Sequence, residues 1–278
     1  MPSFHSLRFF NLLSMLLCLG FSICAVAGSV ISGLAAEAPP KDYSLHGRPV
    51  HKMFNIFNAI SIMVTAFANP IIVEIQATIV PPATKKVIKG LLLCYTVSLV
   101  AFFSVSISGY WAFGNAVKGV VFDNMRPLVP SWLYILSNAL ICLQLIVMTV
   151  VYLQPLFAKY EGLVIDAKKG QFSARNAFVR ILGRSLFVSV AILIAAMLPF
   201  FSDFSALMGA FAFIPLCIVL PSVFYLSVFR KASRLSCTYL VNIIIVVLFS
   251  IAMVIGVIAA LHQIVLDVNT YRIFPSSQ

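Results

Sequence analysis

The chain has 278 residues, of which 62% are hydrophobic and only 10% are charged. Soluble domains are close to half apolar and about a quarter charged, so this composition excludes a soluble globular fold. The net charge of +11 does not indicate nucleic-acid binding, because the basic residues lie in short segments between long apolar ones.

Seven stretches of the chain contain no Asp, Glu, Lys or Arg, and each is at least 18 residues long. A helix of about that length crosses the roughly 30 Å hydrocarbon layer of a bilayer. A closed barrel would also satisfy its backbone in lipid, but runs such as Leu240–Val247 lack the alternation of barrel strands. The sequence predicts an all-α membrane protein with about seven transmembrane helices, over residues 9–34, 54–79, 89–114, 130–157, 178–200, 204–229 and 238–262.

The basic residues between these spans predict the orientation of the chain. Of the 19 Lys and Arg residues, thirteen lie on the side that holds the N-terminus and six lie on the other side. Cytoplasmic loops carry the excess of Lys and Arg, so the N-terminus is expected in the cytosol and the C-terminus outside the cell. A seven-helix receptor needs the opposite orientation, which makes that class the weaker alternative.

The second span carries a polar stripe that ends at a proline. On a helical wheel, four residues share an arc of about 80°: Asn58, Ser61, Thr65 and Asn69. Polar residues in a membrane face other protein or a cavity. Pro70 has no amide hydrogen, so the carbonyl of Ala66 is expected to lose its helical donor. The break is either an ordinary proline kink or the discontinuous helix of a transporter site.

Glu74 is the only acidic residue within the apolar stretch from Pro70 to Pro81. Two interpretations are open for its carboxylate. It can carry a proton, because burial favours the neutral form of a carboxyl group. Alternatively, it lies at the cytosolic interface and pairs with Lys85 or Lys86.

A second polar stripe lies in the fourth span, within an arc of about 120°: Tyr134, Ser137, Asn138, Gln144 and Tyr152. Such residues either face a site or form hydrogen bonds between helices. Pro155 is expected to end this helix, and Pro215 and Pro221 predict kinks in the sixth span.

No pattern in the sequence is typical of an enzyme or of a cofactor or metal site. The six cysteines form no CxxC pair and fall within or at the ends of the spans, and the four histidines show no ligand spacing. There is no Ser/His/Asp arrangement, no glycine-rich phosphate loop and no HExxH motif. We therefore predict a protein that is not an enzyme and that has neither a cofactor nor a metal.

Seven motifs are spread over nearly the whole chain: Phe57-Asn58-Ala59-Ile60, Glu74-Ile75-Gln76-Ala77-Thr78, Ser108-Gly109-Tyr110-Trp111-Ala112-Phe113-Gly114-Asn115, Tyr152-Leu153-Gln154-Pro155, Phe172-Ser173-Ala174-Arg175-Asn176, Ala196-Met197-Leu198-Pro199-Phe200-Phe201 and Gln263-Ile264-Val265-Leu266-Asp267. These motifs resemble those of plant members of the amino acid/auxin permease family. The resemblance is greatest for the γ-aminobutyrate (GABA) transporter branch.

The resemblance implies a leucine-transporter-type fold of eleven spans, built from two inverted repeats and a final helix. The seven spans of this chain would be its C-terminal part, so an N-terminally incomplete form is expected. The second span would be the sixth helix of that fold, one of two broken helices that hold the substrate, and the fourth would be the eighth. The chain departs from its close relatives at two positions of the break, Pro70 and Val73.

The implied function is secondary active import of amino acids across the plasma membrane by proton symport. GABA is the expected substrate, with proline and other neutral amino acids as alternatives, and the lipid bilayer rather than a nucleic acid surrounds the chain. The expected substrate-binding residues are Thr65, Ala66, Phe67, Asn69, Ser137 and Asn138, and Glu74 is the expected proton-coupling residue. The alternative is a non-transporting membrane partner that associates with full-length permeases and regulates them.

Overall fold

A computed structural model describes residues 8–36, 38, 40–44, 48–77, 79, 84–126, 128–164, 173–197, 201–228 and 237–268. The helices within these ranges are α1 (Arg8–Leu34), α2 (Pro49–Phe67), α3 (Ile72–Ala77), α4 (Thr84–Phe113), α5 (Phe122–Met125), α6 (Ser131–Val164), α7 (Ala174–Met197), α8 (Phe201–Met208), α9 (Leu220–Val228) and α10 (Cys237–Val268). Two π-helical turns, π1 (Gly209–Phe213) and π2 (Pro215–Val219), connect α8 to α9. The described part of the chain contains no strand.

Seven helical segments of the described chain are long and apolar enough to cross a membrane, which confirms the predicted all-α class. The second of them begins at Pro49, where the fixed φ of proline suits the first turn of a helix. One local prediction is wrong, because α6 continues through Pro155 to Val164. Membrane helices tolerate an internal proline where neighbouring groups satisfy the freed carbonyl.

The chain forms two compact units, the first of which contains residues 1–44 and 71–188. Within this unit α1 packs against α4, α5 and α6. Ala25 on α1 is buried with Phe113, Phe122 and Met125. Gly28 gives Met125 room, since a Cβ atom at this glycine would lie 2.6 Å from the Met125 sulfur. Small residues on α1 therefore allow large side chains from α4 and α5 to fill the core of the unit.

The second unit contains residues 45–70 and 189–278. Its α2 packs against α8, π1 and α10. The contact faces consist largely of small residues, which let membrane helices approach closely. The buried members are Ser61, Ala206, Gly209, Ala210, Gly256, Ala259 and Ala260. This close packing places the polar side of α2 against the backbone of its neighbours.

Candidate functional site

The polar stripe of α2 is buried at Ser61 and half-buried at its other members, and Thr65 bonds a neighbouring helix. Ser61 is 1% exposed, and its hydroxyl donates to the Phe57 carbonyl at 2.8 Å. The Thr65 hydroxyl lies 2.9 Å from the Ser205 carbonyl of α8 and 3.0 Å from the Ser61 carbonyl. One hydroxyl hydrogen is shared between these two acceptors. Ser61 and Thr65 therefore face other protein, which is one of the two environments predicted for the stripe.

Two glycines allow this close approach. Gly209 of π1 leaves no space for a side chain, because a Cβ atom there would overlap the Ser61 carbonyl oxygen and lie 2.5 Å from the Thr65 hydroxyl. A Cβ atom at Gly256 of α10 would lie 2.8 Å from the Ser61 hydroxyl. Ser61 is therefore held between π1 and α10, and Thr65 reaches the backbone of α8.

The predicted break of the second span is confirmed. The helix α2 ends at Phe67, Ala68 is extended with φ −70° and ψ 132°, and α3 begins only at Ile72. The last turn closes with a bond of 2.7 Å from the Ala68 amide to the Val64 carbonyl. Among the described residues none donates a hydrogen bond to the Ala66 carbonyl, which is the group that Pro70 leaves without a donor.

The side chain of Asn69 adds a second acceptor at this break. Its Oδ1 atom is buried and has no donor among the described residues. A buried acceptor that lacks a donor costs about 1–3 kcal/mol, so such a group usually has a partner in the working state. The C-terminal end of a helix also carries partial negative charge. The end of α2 thus offers a cationic group two oxygen acceptors, the Ala66 carbonyl and Asn69 Oδ1.

The two π-turns make the backbone irregular next to this stripe. The Ile214 amide donates to the Gly209 carbonyl and the Leu220 amide donates to the Pro215 carbonyl, each across five residues. Each turn closes one residue before a proline, Pro215 or Pro221, which has no hydrogen to donate. The prolines at which kinks are predicted thus each directly follow the closing residue of a π-turn, a form that is frequent at functional sites.

The other predicted substrate-binding residues lie in the first unit. The buried Ser137 hydroxyl donates to the Leu133 carbonyl at 2.7 Å, and the exposed Asn138 amide donates to the Tyr134 carbonyl at 2.9 Å. Both side chains satisfy the backbone of their own helix, and their role in binding stays a prediction. Of the six predicted residues, the second unit brings together Thr65, Ala66, Phe67 and Asn69. The side chain of Glu74 lies outside the described part of the chain.

Gln144 on α6 shows what the second polar stripe does for packing. Its amide donates to the Ser14 hydroxyl of α1 at 2.9 Å, within the first unit. This contact is a hydrogen bond between helices, which was one of the two interpretations of the stripe. Tyr152, by contrast, is exposed.

The sequence did not reveal a buried ion cluster in the first unit. Glu161 on α6 is 2% exposed, and one of its oxygens accepts two hydrogen bonds from Arg184 on α7, at 3.0 Å and 2.5 Å. Arg180 lies 3.4 Å from the other oxygen. Glu161 lies between the predicted fourth and fifth spans, whereas Arg180 and Arg184 lie within the predicted fifth span. The structure brings them together because α6 extends to Val164 and α7 begins at Ala174.

The sequence model of the family described as transmembrane amino acid transporter protein matches residues 1–262. The chain belongs to this family. GABA transporter 1 of Arabidopsis thaliana is 47% identical to it over 98% of the chain and 62% of the relative. Lysine histidine transporter-like 6 and transporter-like 1 of the same plant are 30% and 26% identical over 99% of the chain. The chain thus spans 60–62% of the length of these relatives. No solved structure matches the chain significantly.

Proposed function

We propose that this chain is part of a secondary active transporter that imports amino acids across the plasma membrane by proton symport. Its substrates are GABA and neutral amino acids. The observation that carries the proposal is the break after Phe67, where the Ala66 carbonyl and Asn69 Oδ1 have no donor among the described residues. Membership of an amino acid transporter family and 47% identity to a relative named GABA transporter 1 support it.

The chemistry of the break fits the ammonium end of an amino acid. An ammonium has three donors and no acceptor, and the end of α2 presents acceptors together with the negative end of a helix dipole. Broken helices of transporters hold cationic groups in this manner. Thr65 acts as a positioning residue, because its hydroxyl already bonds the Ser205 carbonyl and fixes the last turns of α2.

The purified chain in liposomes tests the proposal through binding and uptake of labelled GABA from an acidic exterior. Replacing Asn69 with alanine is expected to weaken GABA binding by about ten- to a hundredfold, because a hydrogen bond to a charged group contributes about 1.5–3 kcal/mol. Replacing it with aspartate should keep the binding, since a carboxylate also accepts from an ammonium. The measurement is a saturation curve for each variant.

Asn242 provides a matched control for this experiment. It lies in the same unit on α10, is half-buried, and its amide donates to the carbonyl of Thr238 one turn earlier, at 2.8 Å. The variant Asn242→Ala should bind GABA like the wild type. Equal binding by Asn69→Ala and Asn242→Ala would remove Asn69 from the site. A chain that binds neither GABA nor any neutral amino acid would contradict the assignment of a substrate site to the break after Phe67.

We further propose that Glu74 carries the coupled proton. Replacing Glu74 with glutamine removes the titrating group and keeps the size of the side chain. Uptake driven by an acidic exterior should then fall strongly, while exchange of substrate between two compartments at equal pH should continue. The two assays on one liposome preparation separate loss of coupling from loss of binding. If Glu74→Gln keeps its dependence on the pH gradient, another group carries the proton.

The proposed orientation places the N-terminus in the cytosol and the C-terminus outside, which the unequal distribution of basic residues supports.

A second candidate function is that of a membrane partner that binds full-length permeases and does not transport. Co-purification with a full-length permease, combined with no binding of amino acids by the chain itself, would decide for it.

A further inference from the structure

Two histidines that are far apart in the sequence face each other in the second unit. His51 lies in the first turn of α2 and His262 lies near the end of α10, and their ring centroids are 6.0 Å apart. The ring planes make an angle of 46°, and both side chains are exposed. The ring of Phe54, one turn after His51, lies 5.3 Å from the ring of His262. The pair lies at the opposite end of α2 from Thr65 and Asn69.

The separation of the two rings matches that of imidazoles that share one metal ion. A metal–nitrogen bond is about 2.0–2.1 Å long and a ring nitrogen lies about 1.1 Å from the ring centre, so two imidazoles on one ion have centres about 5 Å apart at a tetrahedral angle and about 6.3 Å apart on opposite sides of the ion. The observed 6.0 Å falls in this range. Because both rings are exposed, a small rotation about the side-chain bonds can point one nitrogen of each ring at the same ion.

We propose that His51 and His262 together bind one divalent transition-metal ion of the class of Zn²⁺ and Cu²⁺. Water completes the coordination, because the described residues contain no group of three or more His, Cys, Asp or Glu side chains around a common point. Structural zinc sites have four protein ligands. A site with two protein ligands therefore binds its ion reversibly. A bound ion connects the start of α2 to the end of α10.

The surroundings of the pair determine how the affinity responds to metal type and pH. Arg48 and Lys52 lie on either side of His51 in sequence, so the local charge on α2 is positive and weakens cation binding. Metal binding needs neutral imidazoles, so the affinity falls as the pH is lowered. Imidazole sites also prefer Cu²⁺ to Zn²⁺ in the usual order of divalent metals.

The test uses the full chain with His5 and His46 replaced by alanine, so that only two of its four histidines remain. Calorimetric titration with Zn²⁺ should show one site. His51→Ala and His262→Ala should each lower the affinity about tenfold or more. Even the replacement of a residue that only supports a metal ligand typically lowers the metal affinity by about 10–100-fold. The double variant, which keeps neither imidazole, should bind more weakly than either single variant. With Cu²⁺, the electron paramagnetic resonance spectrum should show two nitrogen ligands in the parent chain and one in each single variant.

Phe54→Leu is the matched control, because it removes the ring beside His262 and leaves both imidazoles in place. Its Zn²⁺ affinity should equal that of the parent chain, and circular dichroism checks that each variant is folded. Absence of Zn²⁺ binding by the parent chain overturns the proposal, as does a loss confined to one histidine variant. A one-nitrogen Cu²⁺ spectrum in the folded parent chain overturns it too. These measurements need no transport, so their outcome is separate from that of the proposed function.

Discussion

Replacing Gly209 with alanine is expected to destabilise the second unit by about 1–3 kcal/mol, the range for adding a methylene-sized group to a filled core. The added Cβ atom would overlap the Ser61 carbonyl oxygen and press on the Thr65 hydroxyl. The carbonyl belongs to the backbone of α2, so it cannot turn away as a flexible side chain would. Either π1 moves away from α2 or the last turns of α2 shift. The measurement is the midpoint of thermal unfolding of the purified chain in detergent.

Two other helical glycines provide controls in which the same glycine-to-alanine change is made. A Cβ atom at Gly90 of α4 or Gly162 of α6 would meet nothing within 4 Å. Alanine is about 1 kcal/mol better than glycine in a helix, so Gly90→Ala and Gly162→Ala should leave the midpoint unchanged or raise it. A Gly209→Ala chain that unfolds with the same midpoint as these controls would show that the contact between π1 and α2 is looser than the structure indicates.

The same substitution also tests the link between packing and the proposed site. The hydrogen bond from Thr65 to the Ser205 carbonyl fixes the turn of α2 that precedes the break. Shifting that turn changes the position of the Ala66 carbonyl, which is proposed to contact the substrate. GABA binding by Gly209→Ala should therefore weaken even at temperatures where the variant remains folded. Binding that is unchanged below the unfolding midpoint would separate the packing contact from the site.

The spans and the break were predictable from the sequence because each rests on local chemistry. Long charge-free stretches that lack the alternation of barrel strands satisfy their backbone in lipid as helices, and Pro70 lacks the hydrogen that the Ala66 carbonyl needs. The stripe from Asn58 to Asn69 was visible because helical periodicity places its members on one side. Pro155 misled the prediction, because the surroundings of a proline decide whether a membrane helix ends or continues there.

What the sequence did not reveal depends on contacts between distant residues. His51 and His262 have no recognisable spacing, and only the packing of α2 against α10 brings their rings to 6.0 Å. Likewise, the role of Gly209 depends on the carbonyl of Ser61, far away in the chain. A single sequence contains no signal for such pairs, because periodicity identifies the buried side of a helix but not its partner.

Removing Glu161 is the second substitution with a large expected effect. Breaking a buried ion pair from one side costs about 3–5 kcal/mol, because the remaining charge is left without its partner. The Arg184 and Arg180 side chains are 35% and 26% exposed, so water compensates part of this cost. Glu161→Ala should therefore lower the stability of the first unit by about 2–3 kcal/mol. Thermal unfolding in detergent measures the loss.

Arginine is needed at position 184 for geometric reasons as well as for its charge. Its guanidinium donates twice to one Glu161 oxygen and lies 5.0 Å from the centre of the Phe157 ring. A lysine cannot reproduce both contacts, so Arg184→Lys should lose a substantial part of the stability that Glu161→Ala loses. The combined variant Glu161→Arg with Arg184→Glu restores opposite charges and should recover stability relative to either single change.

Lys159 is the matched control for this cluster, because it is charged, exposed and two positions before Glu161 on the same helix. Lys159→Ala should change the stability by no more than about 0.5 kcal/mol, as is usual for surface positions. Equal midpoints for Glu161→Ala and Lys159→Ala would mean that the buried carboxylate contributes no net stability.

Full recovery in the charge-swapped variant would show that the two helix ends are held together mainly by charge rather than by shape. Failure to recover would assign the loss to the packing around Glu161, where the Tyr160 hydroxyl lies 3.4 Å from the Val179 carbonyl.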